Sequence, residues 1–262
     1  MLAAAAQLAA AQGQALVDRA LANELRAAQD ASHPMRYLLR KSSPRLTTTR
    51  EIFETKDGGV ARLLSVNDKP LGSADKQKEA ARLAELAADP GRQRHRKRSE
   101  DADLDRALKV LRMLPTAFLY QYAGQEQGPT GTVEKFTFRP NPSFSPPDLE
   151  TQVLTAMAGE IWIDPAPARV THLAAHVDHD VDFGWGILGR LNKWGWITID
   201  QAEVGAGQWR TVRFQMSMTA RVVFRTRSFD TTEETSKFAP LPAGMGYQQA
   251  IGMMQSDAAA GR

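Results

Sequence analysis

Apolar and polar positions alternate along much of this chain. Met35, Tyr37 and Leu39 alternate with Arg36 and Arg40, which is the two-residue period of a strand with one buried face. The same period, or a high density of β-branched residues, predicts further strands at 47–55, 60–66, 118–124, 132–139, 159–164, 168–177, 194–204, 209–218 and 220–229. Because the intervening turns are short, we expect an antiparallel sheet.

Helical periodicity occurs in three segments. An alanine-rich stretch from Leu2 to Ala28 has a weak apolar stripe. Ser73–Ala88 begins with a helix-capping residue and is followed by Asp89-Pro90, which predicts the end of that helix. A further helix is predicted from about Ser99 to Pro115. Between the two later helices the sequence predicts a basic linker that carries Arg92 to Arg98.

We therefore expect a mainly β protein of the α+β kind. Residues 1–33 form an N-terminal helix, part of which resembles the end of a signal peptide. Residues 34–255 form a single domain with a helical insertion at 73–114, and 256–262 form a disordered tail. The 262 residues suffice for one sizeable core.

Composition excludes several classes of function. The chain has no cysteine, so it has neither disulfides nor thiolate metal sites. The 33 Lys and Arg barely exceed the 30 Asp and Glu, and the basic run has no interleaved aromatic residues for stacking on bases. We expect no nucleic-acid partner; the run is interpreted as a solvated face, or else as a contact for anionic lipid or an acidic partner.

Three short segments carry a family resemblance: Gly159–Asp164, Arg169–His172 and Asp182–Gly186. Together with the order of predicted strands, they resemble bacterial outer-membrane lipoprotein-sorting proteins of the LolA/LolB-like superfamily, in an uncharacterised branch. The resemblance implies a strongly curved antiparallel sheet that forms an open half-barrel, with helices covering its concave side. It also implies a periplasmic location and an apolar cavity for acyl chains, although the superfamily includes periplasmic stress sensors too.

Strand alternation selects the candidate ligand-binding residues. We expect the cavity to be lined by apolar side chains that share a sheet face and adapt to a variable acyl chain. A glycine-flanked loop tip beside Arg190 and Lys193 is a candidate membrane contact. The predicted ligand-binding residues are Phe118, Tyr120, Phe136, Phe138, Trp162, Phe214, Met216, Met218 and Phe224, and the predicted membrane-contact residues are Ile187, Leu188 and Leu191.

Two motifs suggest other chemistry. Residues 184–189 match the dinucleotide-binding pattern GxGxxG, but a strand-like segment follows where that motif requires a helix. His172, His176, Asp178, His179, Asp180 and Asp182 supply metal-binding side chains. On a strand, however, His172 and His176 would stand about 13 Å apart and His179 would face the other way. We therefore predict no metal and no cofactor.

The functional expectation is a periplasmic, monomeric, non-catalytic carrier of lipid or lipoprotein acyl chains. It would make transient contacts with the membrane or with membrane-anchored transport components. The alternative is a periplasmic sensor or interaction module of the same fold that regulates a protein partner. A third hypothesis is a metal-dependent hydrolase that uses the His/Asp cluster.

Overall fold

The chain folds into two compact units. A computed structural model describes residues 2–128, 131–183, 189–222 and 225–259. Unit 1 comprises Met1–Gln29 and Ala107–Thr231, and unit 2 comprises Asp30–Arg106 and Thr232–Arg262.

Strands dominate both units. The strands are β1 (Met35–Ser42), β2 (Thr47–Phe53), β3 (Val60–Val66), β4 (Lys69–Pro70), β5 (Phe118–Gly128), β6 (Gly131–Pro140), β7 (Met157–Asp164), β8 (Arg169–Val177), β9 (Val181–Phe183), β10 (Gly189–Leu191), β11 (Trp196–Glu203), β12 (Trp209–Val222) and β13 (Arg225–Pro240). The helices are α1 (Leu2–Gln29), α2 (Ser73–Ala88), α3 (Pro90–Ala117) and α4 (Tyr247–Ala259), with a 3₁₀ turn at Thr151–Ala156.

Hydrogen bonds join the strands into one sheet of thirteen strands. The order is β4-β3-β2-β1-β13-β12-β11-β8-β7-β6-β5, with β10 pairing with β12 and β9. Every register described is antiparallel. Because β4 and β5 are the two ends of this order, the sheet of the described residues is not closed into a barrel. The predicted fold class, an open antiparallel sheet with packed helices, is confirmed.

Unit 2 depends on a pairing between distant parts of the chain. Strand β1 pairs with β2 by a short connection and with β13 on its other side, from Met35 opposite Pro240 to Ser42 opposite Thr232. Its core joins Phe53 of β2 to α2 and α4. The other members of this core are Val60, Leu83, Leu86, Leu241, Met245, Tyr247, Ala250, Ile251 and Met254.

The helices of unit 2 differ from the sequence prediction in two places. Helix α3 begins at Pro90 rather than near Ser99, because proline fits the first turn of a helix and Asp89 caps it: the Arg92 N–H donates to Asp89 Oδ1 at 2.9 Å. Helix α4 continues to Ala259, where a disordered tail was predicted from 256. Its end is held by an ion pair between Asp257 and Arg36 at 2.8 Å.

Unit 1 places α1 against its sheet. Helix α1 contacts β5, β7 and β8, and Val17, Ala20 and Leu21 are buried in the core with Phe136 and Ile161. At least the second half of α1 therefore belongs to the folded unit. Of the helices in the described ranges, none is both long enough and apolar enough to cross a membrane.

Candidate functional site

Two rows of side chains cross one face of the unit 1 sheet. Across β6, β7, β8, β11 and β12 the first row consists of Phe136, Ile161, Leu173, Ile199 and Phe214, each opposite the next. Directly opposed residues of an antiparallel pair lie on the same face. The alternation of each strand therefore builds one apolar surface five strands wide.

The second row lies beside the first and consists of Phe138, Gly159, Ala175, Ile197 and Met216. Gly159 in this row has to be a glycine, because the backbone of β8 approaches it closely. A Cβ atom at Gly159 would overlap the carbonyl oxygen of Ala174 on β8, so any side chain there would force β7 away from its neighbour.

Helix α1 lies over β5, β7 and β8 and also covers Phe136 of β6 on this face. Gly13 lies directly on the ring of Phe136, since a Cβ atom there would come within 3.0 Å of the ring. Val17 and Leu21 follow along the helix, and Phe136 and Ile161 beneath them are at most 2% exposed. This part of the face is a filled core.

The β8, β11 and β12 part of the same face is less covered. Leu173, Ile197, Ile199, Phe214 and Met216 are half-buried rather than buried. We call these five residues the apolar strip. They form a contiguous apolar surface because they are partners in the two rows, and it borders the core that α1 covers.

A buried carboxylate fixes the position of α1. Glu24 accepts hydrogen bonds from Arg169 Nε at 2.8 Å and Nη2 at 2.9 Å, from the Val170 N–H at 2.9 Å, and from Gln201 Nε2 at 3.1 Å. Sequence reasoning missed this residue. Its spacing from Val17 and Leu21 places a carboxylate on the apolar face of the helix, which is a signal that it has a buried cationic partner.

The aromatic residues predicted on β5 and β6 come together in the core. The ring centroids of Phe118 and Phe138 are 4.8 Å apart, and those of Tyr120 and Phe138 are 6.1 Å apart. The Tyr120 hydroxyl donates to the carbonyl of Leu114 at 3.1 Å. Burial, aided by the charge of Asp18, raises the pKa of Tyr120 above its ordinary value, so this phenol stays neutral.

The predicted residues of β12 lie on the same face. Phe214 and Met216 belong to the apolar strip, and Met218 packs against a smaller buried cluster that contains Val177 and Val181. Phe224 lies outside the described residues. Trp162 is on the opposite face of the sheet, because its partners across the strands are Lys135 and His172 rather than core residues.

Around Trp162 that opposite face is polar. The Trp162 and His172 rings have centroids 4.7 Å apart, and the Lys135 ammonium is 5.5 Å from the indole centroid. Trp162 Nε1 donates to Glu160 at 3.0 Å, and His172 Nδ1 lies 2.6 Å from Asp200. These contacts are paired surface interactions.

The histidine and aspartate cluster is spread along β8 and the turn that follows it. His172 pairs with Asp200, whereas His176 pairs with Asp178 at 2.8 Å. Asp180 and Asp182 bind Arg190 at 3.2 and 2.6 Å. Within the residues that the structure describes, no group of three or more metal-binding side chains is close enough to hold an ion.

The turn end near β10 exposes a residue that was not among the predicted membrane contacts. Ile187 and Leu188 lie outside the described residues, and Leu191 is 8% exposed in the cluster with Val177 and Val181. The Trp194 side chain, in contrast, is 76% exposed, with the Lys193 ammonium 5.3 Å from its ring. Gly189, the last glycine of the GxGxxG pattern, begins a strand rather than a helix.

Comparison with known proteins yields only distant similarity. No family model and no characterised protein sequence matches the chain. Its fold is similar to a domain from Vibrio parahaemolyticus assigned as an outer membrane lipoprotein-sorting protein, with 11% identity and a TM-score of 0.34 over 86% of this chain and 92% of that one. It is also similar to MucB, solved in complex with MucA(peri), with 11% identity and a TM-score of 0.23 over 85% and 98% of the two chains.

Proposed function

We propose that this chain is a non-catalytic periplasmic carrier that holds an acyl chain of a lipid or lipoprotein against the apolar strip. The observation that carries the proposal is the half-buried state of Leu173, Ile197, Ile199, Phe214 and Met216. When a ligand removes a contiguous apolar surface of this kind from water, the free energy of the system falls, and this favours binding.

The size of the strip suits a reversible ligand. Three neighbouring strands give it a width of about 10 Å, which accommodates one or two acyl chains lying side by side. Burial contributes about 0.8 kcal/mol per methylene, so ten methylenes covered on one side only would contribute roughly 4 kcal/mol. An affinity of this order permits the ligand to be passed on.

Helix α1 sets how far the site extends. With α1 in place, the proposed ligand contacts are Phe214, Met216 and the rest of the apolar strip. Phe118, Phe136 and Phe138 are 2–6% exposed; they become contacts only when α1 moves away from the sheet. The hydrogen bonds of Glu24 oppose that movement.

The direct test is to purify the protein from a bacterial periplasm without detergent, then apply native mass spectrometry and lipid extraction. We expect an acyl lipid at a defined stoichiometry. Preparations that repeatedly contain no lipid, and that also fail to bind a fluorescent fatty acid, would overturn the proposal.

A pair of neighbouring substitutions on β12 locates the site. Met216→Asp puts a charge on the apolar strip, whereas Ser217→Asp puts the same charge on the other face of the same strand. We expect Met216→Asp to weaken binding of a fluorescent fatty acid at least tenfold, because an acyl chain does not pair with a desolvated carboxylate. Ser217→Asp should bind within about twofold of the natural protein; equal losses in both variants would contradict this location.

A second candidate function is an interaction module that binds a regulatory protein partner. The filled core under α1 favours it, because Phe136 and Ile161 leave no space there for a ligand. The same periplasmic preparation separates the two functions: a stoichiometric protein retained in place of lipid would support the module.

A further inference from the structure

A cavity lies between two helices of unit 2. Helices α2 and α3 are separated by the single residue Asp89, so the end of α2 and the start of α3 are adjacent. The cavity between them has a volume of about 360 Å³. Its lining residues are Arg82, Leu86, Arg92, His95, Arg96 and Ser99.

The spacing of the α3 residues explains why they meet. Arg92, His95, Arg96 and Ser99 follow the helical i, i+3, i+4, i+7 pattern and share one face of α3. On α2, Arg82 and Leu86 are one turn apart. Two helical faces thus place three arginines, a histidine and a serine around one cavity.

The positive charge of the cavity is only partly neutralised. Arg82 binds Glu79 through Nε at 2.8 Å and Nη2 at 2.7 Å, and Nη2 also donates to the carbonyl of Ala61 at 2.6 Å. Arg96 is 3.5 Å from Glu100, whose other bond is to the Gly59 N–H. Within the described part of the chain, the side chains of Arg92 and His95 form no ion pair. Three arginines therefore face two carboxylates, both of which have other partners.

The chemistry of the lining selects the kind of anion. The guanidinium groups of Arg92 and Arg96, one turn apart on α3, can bind one tetrahedral phosphoryl group with several charge-assisted hydrogen bonds, whereas a carboxylate is satisfied by one guanidinium fork. Leu86 provides an apolar wall for the organic part of an ester. The described lining contains no phenylalanine, tyrosine or tryptophan on which a base could stack, which disfavours a nucleobase.

We propose that this cavity binds a phosphomonoester dianion. The group is common to soluble organic phosphates and to the headgroup of phosphatidic acid. The site lies wholly in unit 2 and does not depend on acyl-chain binding at the apolar strip of unit 1.

Two matched double variants test the site. Arg92→Gln with Arg96→Gln removes two charges from the cavity. Arg94→Gln with Arg98→Gln removes two charges from the same helix without touching the lining. Binding of glycerol 3-phosphate is measured by calorimetry and ³¹P NMR in 150 mM salt, at which exposed charges are screened beyond about 8 Å. Thermal melting establishes that each variant is folded.

We expect saturable binding by the natural protein, a loss of about tenfold or more in the cavity variant, and a change within about twofold in the control. Equal losses in both variants would overturn the proposal. So would the absence of saturable binding by the natural protein both to glycerol 3-phosphate and to vesicles with phosphatidic acid. The second probe is a vesicle with phosphatidic acid, compared with one of equal charge made with phosphatidylglycerol. Preference for phosphatidic acid over the soluble ester identifies a lipid headgroup, and the reverse identifies a soluble phosphate.

The Met216→Asp variant tests whether the two proposed sites are independent. This variant should retain phosphate binding even if it loses fatty-acid binding. Failure of phosphate binding in the natural protein would leave the test of the apolar strip unaffected.

Discussion

A single residue in the turn before β11 combines strain with exposure. Trp194 has a φ angle of 72°, in the left-handed region, and its side chain is 76% exposed. A bulky residue in that region costs about 1–3 kcal/mol. Strain kept at an exposed tryptophan beside Lys193 suggests a functional contact, since tryptophan and lysine suit the surface of a bilayer. The carrier function proposed above therefore predicts that Trp194 contacts the membrane during ligand transfer.

Replacing Trp194 with asparagine should separate function from stability. Asparagine tolerates the left-handed conformation, so we expect Trp194→Asn to be at least as stable in urea unfolding as the natural protein. Sedimentation with anionic vesicles should fall about tenfold, because the side chain contributes roughly 1.5 kcal/mol when it is buried. Trp196→Thr, in the adjoining strand, is the control; vesicle binding that responds equally to both changes would refute the contact.

At the scale of elements, α1 is held to the sheet by a buried ion pair as well as by apolar packing. The side chains of Glu24 and Arg169 are 10% and 12% exposed. Removing one partner of such a pair leaves the other as an uncompensated charge, which is more costly than losing an exposed pair. The position of α1 decides how much of the sheet face is filled core.

Glu24→Ala should therefore destabilise unit 1 strongly. We expect a loss of about 3–5 kcal/mol in the free energy of unfolding in urea, together with faster hydrogen exchange of the α1 amides. Gln14→Ala breaks an exposed hydrogen bond to Asp18 on the same helix and should change the stability by about 0.5 kcal/mol or less. Similar effects of the two substitutions would show that Glu24 does not fix the helix.

At the scale of the whole molecule, each unit contains a carboxyl group with a pKa near 2. In unit 2, hydrogen bonds from Ser32, and then from His33, lower the pKa of Asp30 to about 2. In unit 1, the Lys109 ammonium and then the Thr151 N–H lower that of Asp148 to about 2. A carboxyl group whose pKa is lowered in the folded state stabilises the fold at pH values above 3.8, its pKa in the unfolded chain. This contribution disappears as the pH falls towards 2.

Asp148→Asn should be less stable than the natural protein at pH 7, and the difference should close between about pH 4 and pH 2. Tryptophan fluorescence during urea unfolding measures this in unit 1, because all five tryptophans of the sequence fall within its range. Asp105→Asn is the control: Asp105 lies on α3, the helix that carries Lys109, and forms no ion pair within the described ranges. A stability difference that persists at pH 2 would contradict the assignment.

Much of the local structure was predictable from the sequence. Alternation along β5, β6 and β12 fixed which side chains share a face, because a strand reverses side-chain direction at every residue. Phe118, Tyr120, Phe136, Phe138, Phe214, Met216 and Met218 accordingly lie on one face of unit 1. Trp162 does not, because alternation along one strand leaves its face relative to another strand undetermined until the register is known.

Other local signals were ambiguous. Proline can end one helix or begin the next, and Pro90 was assigned to the first role although it has the second. As a result, Arg92 to Arg98 were predicted in a linker, and the helical spacing of Arg92, His95, Arg96 and Ser99 was missed.

The sequence by itself determined the mainly antiparallel architecture and the apolar character of each strand, because these follow from interactions between near neighbours. Only the tertiary structure decided the pairing of β1 with β13, some 200 residues apart in the chain, and the coverage of Phe136 by α1. It also brought α2 and α3 together around a basic cavity. Such contacts depend on which apolar surfaces pack together and exclude water. A local sequence pattern shows only that a surface is apolar, not which other surface will cover it.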